Sequence, residues 1–415
     1  MIQPRSFDKL GLLGSLYLSQ SMPFLFLYQA LPVVLRQEGL SLTAIGLLPL
    51  VILPITLKFL WSPLIDRYSV TALGHYRFWI IALQSLVALV TACCSWLNVE
   101  TQLPIVLISM MLIAIGCASQ DIATDALALG LLAPHERGWG NAVQSIGGSL
   151  GSMIGGGGML ILLSRWGWRF SLLTLSGLML VALIPVLLHQ EQPRPARQPS
   201  RKTRHPLRNY FRIFLQFCQR PGMKVWLSIL LLYNFGYSFA ITMFRPLLVD
   251  LGLSLAEVGW LLGILGTIAV IFGSLMAGWL IPSWGRQRSL LIASSLSVIG
   301  ILAYLLPTFG FTQLPVLYGI VGATSFSLGI VVTTAFTIMM DKSNPQSAAT
   351  DYAIQASLNT MGSLPAAIAS GAIATAIGYR GVFIISAVII GICVLLIARY
   401  LETSNASNSS TVNAL

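Results

Sequence analysis

The chain has 415 residues, of which 56% are hydrophobic and only 9% charged, and its mean hydropathy is +0.81. Soluble domains carry roughly 25% charged residues, so the composition argues against a soluble enzyme, a nucleic-acid binder or a disordered protein, and for an all-α membrane protein. Lys and Arg number 24 against 13 Asp and Glu, a formal charge of +11, and these basic residues lie between apolar spans.

A hydrocarbon core about 30 Å thick needs roughly 20 apolar residues of helix. In chain order, twelve stretches meet that length: 10–35, 41–65, 77–97, 103–128, 139–163, 169–188, 223–249, 254–282, 288–307, 312–340, 351–376 and 380–400. The first is too long for a removable signal peptide and lacks its small-residue cleavage site. Helices are expected because backbone groups in lipid must be satisfied internally, and the alternating segments of a β-barrel are absent. Cys93, Cys94, Cys117, Cys218 and Cys393 fall in or beside apolar stretches without metal-ligand spacing and read as small packing residues. His75, His135, His189 and His205 fall at helix ends or in loops, which leaves no buried histidine site.

With the N-terminus in the cytoplasm, 18 basic residues fall on the inner side, 4 (Arg36, Arg165, Arg169, Arg380) fall outside, and Lys58 and Arg245 lie within spans. That asymmetry predicts an N-in, C-in chain. Nine of the inner residues lie between Arg194 and Lys224. The chain thus divides into a bundle over 1–189, a basic cytoplasmic linker over 190–222, a second bundle over 223–402 and a disordered tail over 403–415. Within the linker, Leu207, Tyr210, Phe211, Phe214, Leu215 and Cys218 follow helical spacing. They predict a basic amphipathic helix suited to the inner lipid surface, with a solvated linker as the alternative.

The two bundles repeat. LPVVLRQEGLSLTAIG (31–46) matches RPLLVDLGLSLAEVG (245–259), and NAVQSIGGSLGS (141–152) matches YAIQASLNTMGS (352–363), pairing Gln144 with Gln355 and Gly151 with Gly362. The loop WSPLIDRY (61–68) places Asp66 and Arg67 at the end of helix 2, and GWLIPSWGRQR (278–288) places Arg286 at the equivalent position. Two six-helix repeats with a charge motif between second and third helices resemble the major facilitator superfamily. That resemblance implies a twelve-helix fold of two six-helix repeats, and a charge cluster of Asp66, Arg67, Arg137 and Arg286 that gates the cytoplasmic helix ends.

LKFLWSPLIDRY (57–68) and CASQDIATDALALGLLAPHERGWGNA (117–142) further resemble the AmpG-type muropeptide permeases. The opening LGSLYLSQSMPFLFLYQALPVVLRQEGLSL (13–42) looks closer to the siderophore-permease branch of that group, and a chain of twelve spans without extra carboxy-terminal helices favours the same branch. The resemblance implies proton-driven uptake across a bacterial inner membrane.

Charges inside spans are costly and mark function or pairing. Asp121 and Asp125 lie four apart on one face of helix 4 at the depth of Lys58. Lys58 is expected to pair with one of them. A buried acid left partly unpaired binds a proton readily, so the three are candidates for proton coupling. A fixed brace between helices 2 and 4 is the alternative. For substrate, helix 1 offers Tyr17, Gln20, Phe24 and Tyr28 in a stripe, and helix 7 offers Asn234, Tyr237 and Arg245. Gln144, Gln355 and Asn359 add amides from helices 5 and 11; Asp351 is expected to be solvated or to cap helix 11. The glycine-rich run 145–158 lacks the Lys-Ser/Thr ending of a phosphate loop and reads as a close helix contact.

No ATP-binding motif, metal box or catalytic triad appears, so no cofactor is expected and the chain is not read as an enzyme. The expectation is a proton-coupled importer working by alternating access. Its cargo is a siderophore or metal–siderophore chelate, with an anhydro-muropeptide as the alternative and a small-molecule exporter as the third reading. The partners are cargo, protons and the lipid bilayer, with no nucleic acid, and the chain is expected to be monomeric.

Overall fold

A computed structural model describes residues 6–31, 35, 49–68, 74–99, 101–189 and 214–412. The first repeat segment, 31–46, and the linker over 190–213 lie essentially outside the described residues. Contacts divide the chain into two units: 1–210 with 340–357, and 211–339 with 358–415.

In the first unit, α1 (Ser6–Leu25) continues into a π-helical turn, Phe26–Ala30. Helix 2 is broken: α2 (Pro49–Leu57), a 3-10 turn (Lys58–Leu60) and α3 (Ser62–Arg67) replace the continuous span expected. Pro54 within α2 removes the backbone donor just before the break. Next come α4 (His75–Cys94), α5 (Leu103–Leu131), α6 (Arg137–Ser152), a π-helical run Met153–Gly158, and α7 (Met159–Leu188). The fifth and sixth spans run on as helix from Arg137 to Leu188 and are divided at Gly167, whose φ of 73° only glycine adopts readily.

The second unit holds α8 (Met223–Asp250), α9 (Leu255–Val258) with a π-helical run Gly259–Leu265, and α10 (Gly266–Trp284). It continues with α11 (Arg286–Ala303), α12 (Leu305–Thr308), α13 (Leu314–Lys342), α14 (Ala348–Met361) and α15 (Ser363–Val412). α13 and α14 each cross the boundary between the units. Gly378, with φ 74°, divides α15 as Gly167 divides α7. The tail expected to be disordered from residue 403 is helical as far as Val412; no glycine or proline after Gly391 stops it. Nine helical stretches are long and apolar enough to cross a membrane among the described residues, two of them 52 and 55 residues long. Leu89, Ile108, Val181, Ile299, Ile368 and Leu395 all stand exposed, as a lipid-facing surface requires.

The interior of the first unit is built from Met22, Phe26, Val87, Met110, Ile113, Met159, Leu172 and Leu175. α6 packs on α1 through glycines: a Cβ on Gly151 would run into Ser21 Cβ and lie 3.1 Å from the Leu18 carbonyl. Packing, not burial from water, holds helices together in lipid, so small residues at the seam decide the approach. Its repeat mate Gly362 does the same in the second unit, where a Cβ would lie 3.0 Å from the Leu231 carbonyl and 3.2 Å from the Phe235 amide of α8. One end of the second unit is also tied together. Tyr379 donates to Asp250 at 2.6 Å, and Arg380 donates to the Thr308 carbonyl at 2.6 Å while lying 4.3 Å over the Phe309 ring.

Candidate functional site

α1, α5 and the break in helix 2 gather a charged cluster inside the first unit. The 3-10 turn carries Lys58, whose side chain is 4% exposed, between the two acids of α5. Lys58 pairs with Asp121 Oδ2, and its Nζ lies 3.7 Å from Asp125 Oδ2. It therefore serves both acids, where the sequence predicted one. Gln20 donates to Asp121 Oδ1 at 2.6 Å. Tyr17 donates to Asp125 Oδ1 at 3.0 Å, and Gln144 Nε2 reaches the same oxygen at 3.4 Å.

The two acids are not equivalent. Both oxygens of Asp121 accept close donors, and its side chain is 26% exposed; that of Asp125 is 3% exposed. Asp125 Oδ2 has no close donor among the described residues; the Lys58 ammonium is 3.7 Å away, beyond hydrogen-bond reach. One lysine against two carboxylates leaves the cluster one positive charge short if both acids are ionised. A proton on Asp125 Oδ2 would neutralise it at the oxygen that lacks a close donor. Gln20 Oε1, buried beside Asp121, accepts no hydrogen bond.

Tyr17 was visible in the sequence only as part of an aromatic stripe, and its bond to Asp125 was not. Tyr352, fully buried beside Gln144 and within electrostatic range of both acids, carried no sequence signal. Phe24 and Tyr28 stack on each other, centroids 6.3 Å apart, and Tyr28 is 56% exposed. The helix 1 stripe therefore splits: Tyr17 and Gln20 turn to the acids, while Phe24 and Tyr28 do not.

The predicted gate residues behave differently from one another. Asp66 is buried and accepts from Tyr76 Oη at 2.8 Å, the Ala349 and Thr350 amides at 3.2 and 2.9 Å, and Thr350 Oγ1 at 2.6 Å. It thus satisfies the otherwise orphaned donors at the start of α14. Arg137 donates to Asp341 at 2.6 Å. Arg67 is exposed over the Tyr68 ring, and Arg286 is half-buried at the start of α11. One expectation is corrected. Gln355 is fully buried and donates to Ser343 Oγ and the Asp351 carbonyl, both at 3.1 Å, so its amide is used within the fold instead of facing cargo. Of the two expectations for Asp351, solvation or capping of helix 11, the second fits: it is fully buried and accepts from the Asn344 amide and Ser347 Oγ, both at 3.0 Å, at the start of that helix. Asp351 sits in the first turn of α14 and Gln355 one turn further in, and the bend from α13 into α14 takes hydrogen bonds from both.

In the second unit, α8, α11, α13 and α14 line a cavity. Asn234, Tyr237 and Asn359, all expected to bind substrate, are part of its wall. Arg245 is exposed and does not line it. Sequence reading missed the buried Ser294 and Ala335, which line it too, because small residues on an apolar helix look like packing.

The family model described as Major Facilitator Superfamily matches residues 13–367. An uncharacterized protein of Haemophilus influenzae is 31% identical over 88% of this chain and 88% of its own length. The anhydromuropeptide permease of Escherichia coli K12 is 30% identical over 96% of this chain and 80% of its own length. Among solved structures, the human organic anion transporter MFSD10 superposes with a TM-score of 0.74 at 19% identity, covering 95% of this chain and all of that one. That likeness shows the fold.

Proposed function

The chain belongs to the major facilitator superfamily and is AmpG-like within it; from that premise we propose that it imports anhydro-muropeptides across a bacterial inner membrane, driven by protons. It is a membrane transporter and not an enzyme. The cargo reading rests on likeness to the Escherichia coli permease, which favours the muropeptide over the siderophore chelate suggested by the opening residues. We read the chain as a monomer crossing the bilayer twelve times, both termini inside, and working by alternating access.

The observation that carries proton coupling is the buried cluster of Lys58, Asp121 and Asp125. A net charge buried in a span is expensive, so the cluster gains by binding one proton. In this reading Asp125 Oδ2 takes it, Lys58 stays ionised on Asp121, and Tyr17 and Gln144 hold the Asp125 carboxyl in place. Asp121, the more exposed acid, connects the cluster to the transport path. Asp66 on the start of α14 and Arg137 on Asp341 are contacts that break and re-form as the transporter cycles.

Uptake into proteoliposomes under an imposed pH gradient tests this, with radiolabelled anhydro-muropeptide and a ferric siderophore offered side by side. Muropeptide accumulation that collapses with the gradient, and that Asp125→Asn uncouples from it, is the expected result. Siderophore accumulation instead would overturn the cargo. Gradient-independent uptake by the wild-type chain would overturn the coupling.

A further inference from the structure

The cavity of the second unit has a chemistry that the charged cluster lacks. Among the described residues no charged side chain lines it. Leu290, Val331 and Ala335 of its wall are buried, and beside them lie the buried Tyr233, whose hydroxyl pairs with Ser297 Oγ at 2.9 Å, and Ser294, fully buried, whose hydroxyl has no hydrogen bond among the described residues. The side-chain amides of Asn234 and Asn359 on the same wall are only half-buried. Asn359 has no hydrogen bond among the described residues, and Asn234 accepts only a long contact from Ser238 at 3.5 Å. A buried hydroxyl without a partner is costly unless something else bonds it.

We infer that this cavity seats an acetamido group of the cargo. A carboxylate or ammonium would be desolvated there without a counter-charge. A plain alkyl group would leave Ser294 and both amides unmatched. An acetamido group offers a methyl for Val331 and Ala335, a carbonyl to accept from Ser294 or an Asn Nδ2, and an N–H to donate to an Asn Oδ1. The inference rests on the proposed cargo, whose sugars carry N-acetyl groups, and makes the cavity the element that selects for them.

The test compares N-acetylated anhydro-disaccharide peptide with its de-N-acetylated amine form as competitors of labelled cargo uptake. The amine form should compete at least about tenfold less well, since a site built to bond an amide rejects an analogue lacking it. Ala335→Leu, which fills the cavity, should weaken the N-acetylated form and leave little preference; Ser294→Ala should narrow the preference without changing volume. Equal competition by the two forms in wild type would overturn the inference and leave the transport reading intact. If neither form is carried, the cargo reading fails, and the cavity is judged separately by fluorine NMR of N-trifluoroacetylglucosamine with the purified full chain. Line broadening that Ala335→Leu or Ser294→Ala removes would sustain the site. No broadening, or equal broadening of a trifluoropropyl ether without the amide, would overturn it.

Discussion

Lys58 and the two aspartates are energetically one object. Removing one partner of a buried ion pair leaves an uncompensated charge and costs about 3–5 kcal/mol. Lys58→Met should therefore lower the thermal midpoint of the purified protein sharply at neutral pH. The double variant Lys58→Met with Asp121→Asn should recover most of the loss, because it removes a charge of each sign; a double variant no more stable than the single would mean that Asp125, not Asp121, is the dominant partner. Tyr17 belongs to the same object. Its hydroxyl donates to the oxygen of Asp125 opposite the proposed proton, so Tyr17→Phe should leave the fold intact and shift the pH dependence of uptake. An unchanged pH profile would reduce Tyr17 to packing. The three charged residues were legible in the sequence because charges in apolar spans are rare. Their division of labour was not, since it depends on which carboxylate oxygen each donor reaches.

At the scale of helices, the repeat is physical as well as textual. Gly151 and Gly362 each bring a backbone against a long helix of their own unit, α1 and α8. Substituting Leu at either site should cost about 1–3 kcal/mol through overpacking, read as a lower melting temperature; a neutral effect at Gly362 alone would mean that the second seam is slack. The break in helix 2 is the element that sequence reading missed. A continuous apolar run predicts a continuous span, yet the chain forms a 3-10 turn at Lys58–Leu60. Mid-helix 3-10 geometry is often a hinge, and here it lets one lysine reach two acids on α5. The neighbouring Trp61 holds the turn by donating to Ser119 Oγ at 3.0 Å.

For the whole molecule, we propose that both termini face the cytoplasm. The Gly167 and Gly378 breaks should be the outer turns of the fifth–sixth and eleventh–twelfth crossings. In a background lacking the native cysteines, cysteine placed at Ser164 or Ile377 should react with a membrane-impermeant maleimide added to whole cells. A cysteine at Ser200 in the basic linker should react only after lysis. The reverse pattern would invert the orientation.

Composition and residue order alone determined the class: an all-helical membrane chain with a repeated sequence pattern and few charges inside its apolar stretches. Those features are averages over many residues, or properties of residue types in lipid, and they survive without coordinates. Only the tertiary structure decided how single groups were used. It turned Gln20 and Tyr17 onto the acids, spent Gln355 and Asp351 on a turn, and put Ser294 unbonded in a cavity wall. Such outcomes depend on ångström distances between residues as far apart in sequence as Tyr17 and Asp125. Hydrogen bonds fade within about half an ångström of their optimum, and residue spacing along one helix cannot supply that register between two.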